Sequence, residues 1–299
     1  MRQSVISRNI GAFLAAVLCL AGCYEVDLPV SAPQIVVEGW IEDGEFPVVM
    51  LTTTVPINEN VTDVNDLSRF VINWGKVTIT DGRDSVVLTG KKDDKYFPPY
   101  IYTTTSFTGK AGGTYKIIVE YSGRTVTAET TIPAPKPLEY LKVTRSREEA
   151  DKFYLVGGVK DNDASKDYYK FFIMIAGKDR SYISSFMGLT DDTTLDGKEN
   201  AEGIAELPIN NGSRSSEDKM FPSFGAEDKV KVRFSTLDRI SWEYWNDFEE
   251  IQSLSRNPFF PSSTSIRSNI KGGLGYWAGY GSCTYHVSIP DSLKAGRVY

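Results

Sequence analysis

Lys76-Val77-Thr78-Ile79-Thr80-Asp81-Gly82-Arg83-Asp84-Ser85-Val86-Val87-Leu88 decides the fold. Two short runs rich in β-branched residues flank an Asp-Gly pair. That dipeptide between such runs is a hairpin signal, because it accepts the positive φ that a tight turn needs. Similar runs lie on both sides. Upstream are Ile35-Val36-Val37-Glu38-Gly39-Trp40-Ile41 and Val48-Val49-Met50-Leu51-Thr52-Thr53-Thr54, parted by the turn-rich Asp43-Gly44-Glu45-Phe46-Pro47. Downstream are Tyr100-Ile101-Tyr102, Thr114 to Tyr121 and, after Ser122-Gly123, Arg124 to Thr130. No helical period of useful length interrupts them. About seven short strands in about a hundred residues predict an immunoglobulin-like β-sandwich over residues 33–135.

Ile132-Pro133-Ala134-Pro135-Lys136-Pro137 follows, and alternating prolines favour a stiff, extended connector. It marks the boundary to a second β-rich domain over 136–299. Strands are predicted there at Leu138 to Thr144, Lys152 to Lys160, Asp167 to Ala176 and Lys229 to Leu237, with a loop-rich insertion from about Thr190 to Ser223. One helix is predicted near 239–255. Asp238 is its N-cap and Asn257-Pro258 its stop. Ile240, Tyr244, Phe248, Ile251 and Leu254 share one helical face, with Trp242 and Trp245 toward the other. The fold class is mainly β.

The N-terminus carries a different signal. Arg2 and Arg8 precede an apolar run from Ile10 to Leu20, which closes on Leu20-Ala21-Gly22-Cys23. This is the layout of a lipoprotein signal peptide over residues 1–22. Cys23 becomes the acylated first residue of the mature chain, and residues 23–32 form its tether, with Glu25 and Asp27 next to the lipid. The expected partner is outer-membrane lipid through a diacylglyceryl cysteine, with the body facing the cell exterior. The apolar run is shorter than the ~20 residues a spanning helix needs.

Processing would take two of the 33 basic residues and none of the 39 acidic ones, so the formal charge moves from −6 to −8. Such a chain does not seek nucleic acid by bulk electrostatics. Of the cysteines, Cys19 leaves with the signal peptide, Cys23 is acylated, and Cys283 remains alone. No intramolecular disulfide is then possible, and the fold rests on apolar burial.

His286 is the one histidine, which works against zinc sites and against Ser-His-Asp or Cys-His schemes. Cys283 and His286 are three apart in a strand-like run, hence on opposite faces. Asp161-Asn162-Asp163, followed by Asp167, has two readings: a turn, or an oxygen-rich cation loop that does not complete an EF-hand. No phosphate-binding loop, dinucleotide fingerprint, nucleophile elbow or H-E-x-x-H motif is present. The expectation is a non-enzyme with no cofactor and no metal.

Near the C-terminus, Lys271-Gly272-Gly273-Leu274-Gly275-Tyr276-Trp277-Ala278-Gly279-Tyr280-Gly281 interleaves glycines with aromatics. It is either a Gly-rich strand whose rings fill a core, or a binding segment that exposes Tyr276, Trp277 and Tyr280 for stacking. With Trp242 and Trp245, these rings are the candidate ligand- or partner-binding residues.

At this segment the chain resembles a Bacteroidota lipoprotein family catalogued as domain of unknown function (DUF) 4249. The shared features are Cys23, the strand from Ile35 to Ile41, Gly113-Thr114-Tyr115, Asn257-Pro258-Phe259 and Asn269-Ile270-Lys271-Gly272-Gly273-Leu274-Gly275. Tyr276-Trp277-Ala278-Gly279-Tyr280 looks like a variant of the family's aromatic–glycine ending. The resemblance implies a surface lipoprotein that assists a TonB-dependent β-barrel transporter in nutrient capture. The nutrient ligand is unknown, and no catalytic residue carries over. A surface adhesin or structural module, and a glycan or peptide hydrolase using carboxylates of the second domain, are the alternatives.

Overall fold

The computed structural model describes residues 32–56, 59, 61–147, 149, 151–160, 166–196, 198–212, 222–254 and 265–289. The signal peptide, Cys23, the acidic tether up to residue 31, Asp161 to Asp163, and Asn257-Pro258-Phe259 lie outside the described residues.

The fold is mainly β, as the sequence predicts. Sixteen strands form three sheets among the described residues. In the first half they are β1 (Ile35–Glu42), β2 (Val48–Thr53), β3 (Lys76–Thr80), β4 (Ser85–Val87), β5 (Thr89–Lys92), β6 (Tyr100–Thr103), β7 (Thr114–Tyr121) and β8 (Arg124–Thr131). In the second half they are β9 (Tyr140–Arg145), β10 (Lys152–Lys160), β11 (Tyr168–Ile175), β12 (Ile183–Asp191), β13 (Ile204–Ile209), β14 (Phe224–Gly225), β15 (Lys229–Leu237) and β16 (Leu274–Ser288). A 3-10 helix spans Val64–Phe70, α1 is a single turn at Asp192–Leu195, and α2 runs from Arg239 to Leu254.

One eight-stranded sheet, in the order β12-β11-β15-β16-β1-β2-β6-β5, passes through both halves. Two smaller sheets cover different stretches of one of its faces. Sheet β4-β3-β7-β8 packs over β1, β2 and β6, enclosing Val37, Leu51, Val77, Ile117 and Val126. The second small sheet, β10 with β9, β13 and β14, packs over β11, β15 and β16, enclosing Leu155, Phe171, Ile173, Val232 and Phe234. The two apolar cores part at Ile132 and Leu138, where the prolines run.

The chain's far end completes its beginning. β16 is 15 residues long; Leu274 to Tyr280 pair in parallel with β1, and Gly281 to Ser288 pair antiparallel with β15. Its first half therefore serves the first sandwich, where Trp277 is fully buried and donates from its indole N–H to the Tyr115 carbonyl at 2.9 Å. Asn269 holds the start of the strand. Its side-chain oxygen accepts from the Trp277 N–H at 2.9 Å and its amide donates to the Trp277 carbonyl at 2.8 Å. Lys271 exchanges two backbone hydrogen bonds with Thr127.

The glycines of this strand are there for close approach. At Gly279 a Cβ would sit 2.7 Å from the Thr131 carbonyl oxygen, and at Gly281 it would collide with the Pro133 carbonyl. The proline connector thus crosses β16 where β16 has no side chains. The segment is the structural strand of the two readings above.

Turn chemistry agrees with the sequence. Asp81 accepts from the N–H groups of Arg83 and Asp84 through its carboxylate, with Gly82 at φ 88°, and Ser122-Gly123 turns with both φ positive. The loop-rich insertion differs from expectation: β12 enters it and β13 lies within it. β13 reads Ile-Ala-Glu-Leu-Pro-Ile and alternates inward as Ala205, Leu207 and Ile209, a period masked by the surrounding polar residues. The Val64–Phe70 helix is likewise absent from the expectation; Asp63 and Asp66 close a capping box around it.

Replacing Trp277 by Ala removes a buried ring and leaves the Tyr115 carbonyl unmet. We expect a loss of about 3–5 kcal/mol in urea unfolding, with both sandwiches melting together because they share β16.

Candidate functional site

The uncovered face of the large sheet carries the remaining features. It is formed by the even-numbered residues of β1, β2, β11 and β16 and the odd-numbered ones of β15, as the pairing registers require. α2 lies over part of it. Asp238 caps that helix, accepting from the Ser241 N–H at 2.7 Å.

The inward face of α2 is turned from the one the periodicity favours, although Tyr244 of that face does pack on Tyr276. Ile240 is 51% exposed, whereas Trp242 packs on Tyr168 and Trp245 on Phe172. The reason is Lys170, a fully buried ammonium at the centre of the sheet face. It pairs with Glu249 of the helix at 2.7 Å and lies 4.4 Å from the Trp245 ring centroid. A charge can be buried there only where a carboxylate and an aromatic face meet it, so these residues set the helix's rotation. Desolvation lowers the Lys170 pKa, and Glu249 partly restores it.

The structure places the five aromatic candidates on α2, beneath it and in the first core. Tyr276 and Tyr280 are buried beneath α2, with phenol pKa values raised by burial. Tyr280 accepts from the Trp245 indole at 3.0 Å, and Tyr276 stacks on Tyr244 at 4.2 Å. Trp277 belongs to the first core on the other side of the sheet. Trp242 and Trp245 are half-buried. Tyr276 and Trp277 also floor a groove of about 700 Å³ between β8, α2 and residues 267–271. Cys283 faces the second core beside Tyr285, its thiol pKa raised by burial, while His286 is on the opposite face. No group of three or more His, Cys, Asp or Glu among the described residues is placed to hold a metal ion.

Beyond α2 the same face opens into a cleft of about 680 Å³. Its floor is Trp40 of β1, Val48 and Met50 of β2, and Met174 of β11. Two loops close over it: Asp93 to Pro99, between β5 and β6, and Ala176 to Tyr182, between β11 and β12. They meet where Arg180 donates to the Asp94 carbonyl at 3.5 Å. Tyr96 leans on Trp40 with ring centroids 6.0 Å apart. Phe46 and Phe97 stand at the mouth, 41% and 55% exposed.

Charge is distributed by element. Glu38, Glu42 and Glu45 come from β1 and the turn after it; Lys231 and Arg233 come from β15. Glu42 is buried and paired with Arg233, whose guanidinium lies 3.8 Å from the Tyr182 ring centroid. Nε of Arg233 has no hydrogen-bond partner among the described residues. Burial raises the Glu42 pKa, and Arg233 and Ser282 oppose the rise. Glu38, at the α2 end, is reachable by solvent, yet the aromatic wall beside it strips enough water to raise its pKa. The Tyr276 hydroxyl, 3.4 Å away, partly offsets that.

Sequence reading missed this cleft, although one signal was present. In β1 the apolar positions Val37 and Ile41 alternate with Glu38, Trp40 and Glu42. Two carboxylates around a tryptophan on one strand face are more than a solvated face needs. The loop residues Tyr96, Arg180 and Tyr182 carry no comparable signal, since only the fold brings them together.

Fold and site together define a double β-sandwich protein built on one shared sheet, with a solvent-open cleft on that sheet's free face. The chain belongs to the family described as domain of unknown function (DUF4249), whose model matches residues 23–285. No curated protein matches it.

Two predictions follow from the buried charges. Glu249→Ala strands the Lys170 ammonium and should cost about 3–5 kcal/mol in chemical denaturation, whereas Lys170→Met with Glu249→Leu should be near neutral or stabilising. Glu42 binds its proton more tightly folded than unfolded, so its contribution is fully present below the ordinary value of 4.5 and is lost as pH rises through the raised folded value. The stability of the native protein relative to Glu42→Gln, followed by urea titration, should therefore fall as pH rises above 4.5.

Proposed function

We propose that this protein is a non-catalytic outer-membrane lipoprotein, anchored through Cys23 and facing the cell exterior. Its cleft receives a nutrient ligand beside a TonB-dependent β-barrel transporter. The observation that carries the reading is the open cleft on the shared sheet, floored by apolar side chains and bearing exposed Phe46 and Phe97 at its mouth. Pockets of this size hold small-molecule ligands, and few polar groups suffice to orient them.

Among the described residues no helix is long and apolar enough to cross a membrane. Tethering raises the local concentration of a binding domain beside its channel without any new contact.

The two carboxylates that β1 gives the cleft do not match a hydrolytic pair. Glu38 and Glu42 are four residues apart on one strand, about 13 Å by strand rise. Paired glycosidase carboxylates stand ~5–9.5 Å apart. Glu42 is, besides, held by Arg233.

Affinity purification from outer membranes in mild detergent should recover a β-barrel transporter with the native protein. Intact-mass analysis should find acyl chains on Cys23, and Cys23→Ser should lose both the lipid and the barrel. An acylated protein recovered free of any barrel would sink the transporter role.

A further inference from the structure

We propose that the cleft takes a zwitterionic ligand with an apolar body: a short peptide with free termini and at least one large apolar side chain. This rests on the cleft being the ligand site.

The charges left over inside the cleft point to it. Glu42 and Arg233 neutralise each other, and Asp179 is occupied by the Ile175 N–H at 2.7 Å. Glu38 and Glu45 on the β1 side have no ion-pair partner among the described residues, and neither do Lys95, Arg180 and Lys231. Both signs are thus unmet. The free acids belong to β1 and its turn, while Lys231 stands on β15, two strands away across β16, and Arg180 on the loop after β11. A ligand of one sign would meet as much repulsion as attraction. One bearing an ammonium and a carboxylate at its two ends satisfies both sides with charge-assisted hydrogen bonds.

The floor selects the body. Trp40, Val48, Met50 and Met174 offer apolar surface, and methionine adapts to apolar groups of varied shape. Neutral hydrogen-bonding side chains are scarce: among the described residues no Asn or Gln lines the cleft, and Ser181 is the one aliphatic hydroxyl. An uncharged oligosaccharide would present many hydroxyls to groups that are ionic or apolar. A peptide matches both.

Isothermal titration of the full-length lipoprotein in mild detergent with leucyl-phenylalanyl-leucine tests this. Binding is expected, with N-acetylation or C-amidation each weakening it about tenfold, the loss of one charge-assisted contact. Lys231→Met should weaken the free peptide and leave the amidated one unaffected; Arg180→Ala, on an exposed loop, serves as the second variant. Equal affinity for free and blocked peptides would overturn the proposal. So would binding of maltotriose without binding of peptide, or no peptide binding at millimolar concentration. Should those failures occur while a barrel still co-purifies, the ligand class falls and the accessory role stands. Peptide binding with no barrel would do the reverse.

Discussion

β16 must satisfy two sandwiches at once, and the rest of the structure follows from how it does so. Its first half closes the first core with Trp277 and its second half backs the second core, while the proline connector crosses it over Gly279 and Gly281. A side chain at either glycine would push the connector off the sheet. With Cys283 free and no disulfide among the described residues, burial and backbone pairing carry this join. The Asn269-to-Gly275 motif is therefore a docking device. Asn269 clamps Trp277, Lys271 pairs with Thr127, and Gly275 takes φ 102° against Val37, where any Cβ would strike the backbone.

This join also explains which parts of the fold were legible in the sequence. Local signals worked where local chemistry decides: the Asp81-Gly82 and Ser122-Gly123 turns, the alternation in β1, β7 and β8, and the Asp238 cap. They failed where tertiary contacts decide. No periodicity in β1 shows that its partner lies some 240 positions away, at Leu274 to Tyr280. The face of α2 is only partly legible because hydrophobicity counts Lys170 and Glu249 as surface residues, whereas the fold buries Lys170 against Glu249 and turns Trp242 and Trp245 inward beside Tyr244. β13 was hidden because Glu206 and Pro208 break an otherwise apolar strand.

The same logic separates the aromatic residues singled out from the sequence from those at the cleft. Rings clustered in sequence, from Tyr276 to Tyr280, are clustered because one strand must fill layers on both of its faces. Rings at the cleft come from β1, the turn after it and two loops, so nothing in a linear reading groups them. Glu38 joins the two sets. It receives the Tyr276 hydroxyl at the edge of the helix layer and turns its exposed side to the cleft.

Electrostatics at two ranges bears on what the cleft can hold. The whole chain is acidic, with a formal charge of −6, and its field opposes the approach of anions. At physiological ionic strength that field decays over ~8 Å, while contacts inside a partly desolvated cleft are screened far less. Lys95, Arg180 and Lys231 thus act at short range on groups already inside. A ligand with no net charge crosses the outer field without penalty and meets both signs only once seated. A polyanion is repelled before it reaches those cations, and a polycation, though attracted from afar, must seat among three cations that have no ion-pair partner among the described residues. Long-range repulsion and short-range pairing therefore select the same electrically neutral, doubly charged class that the lining selects on chemical grounds.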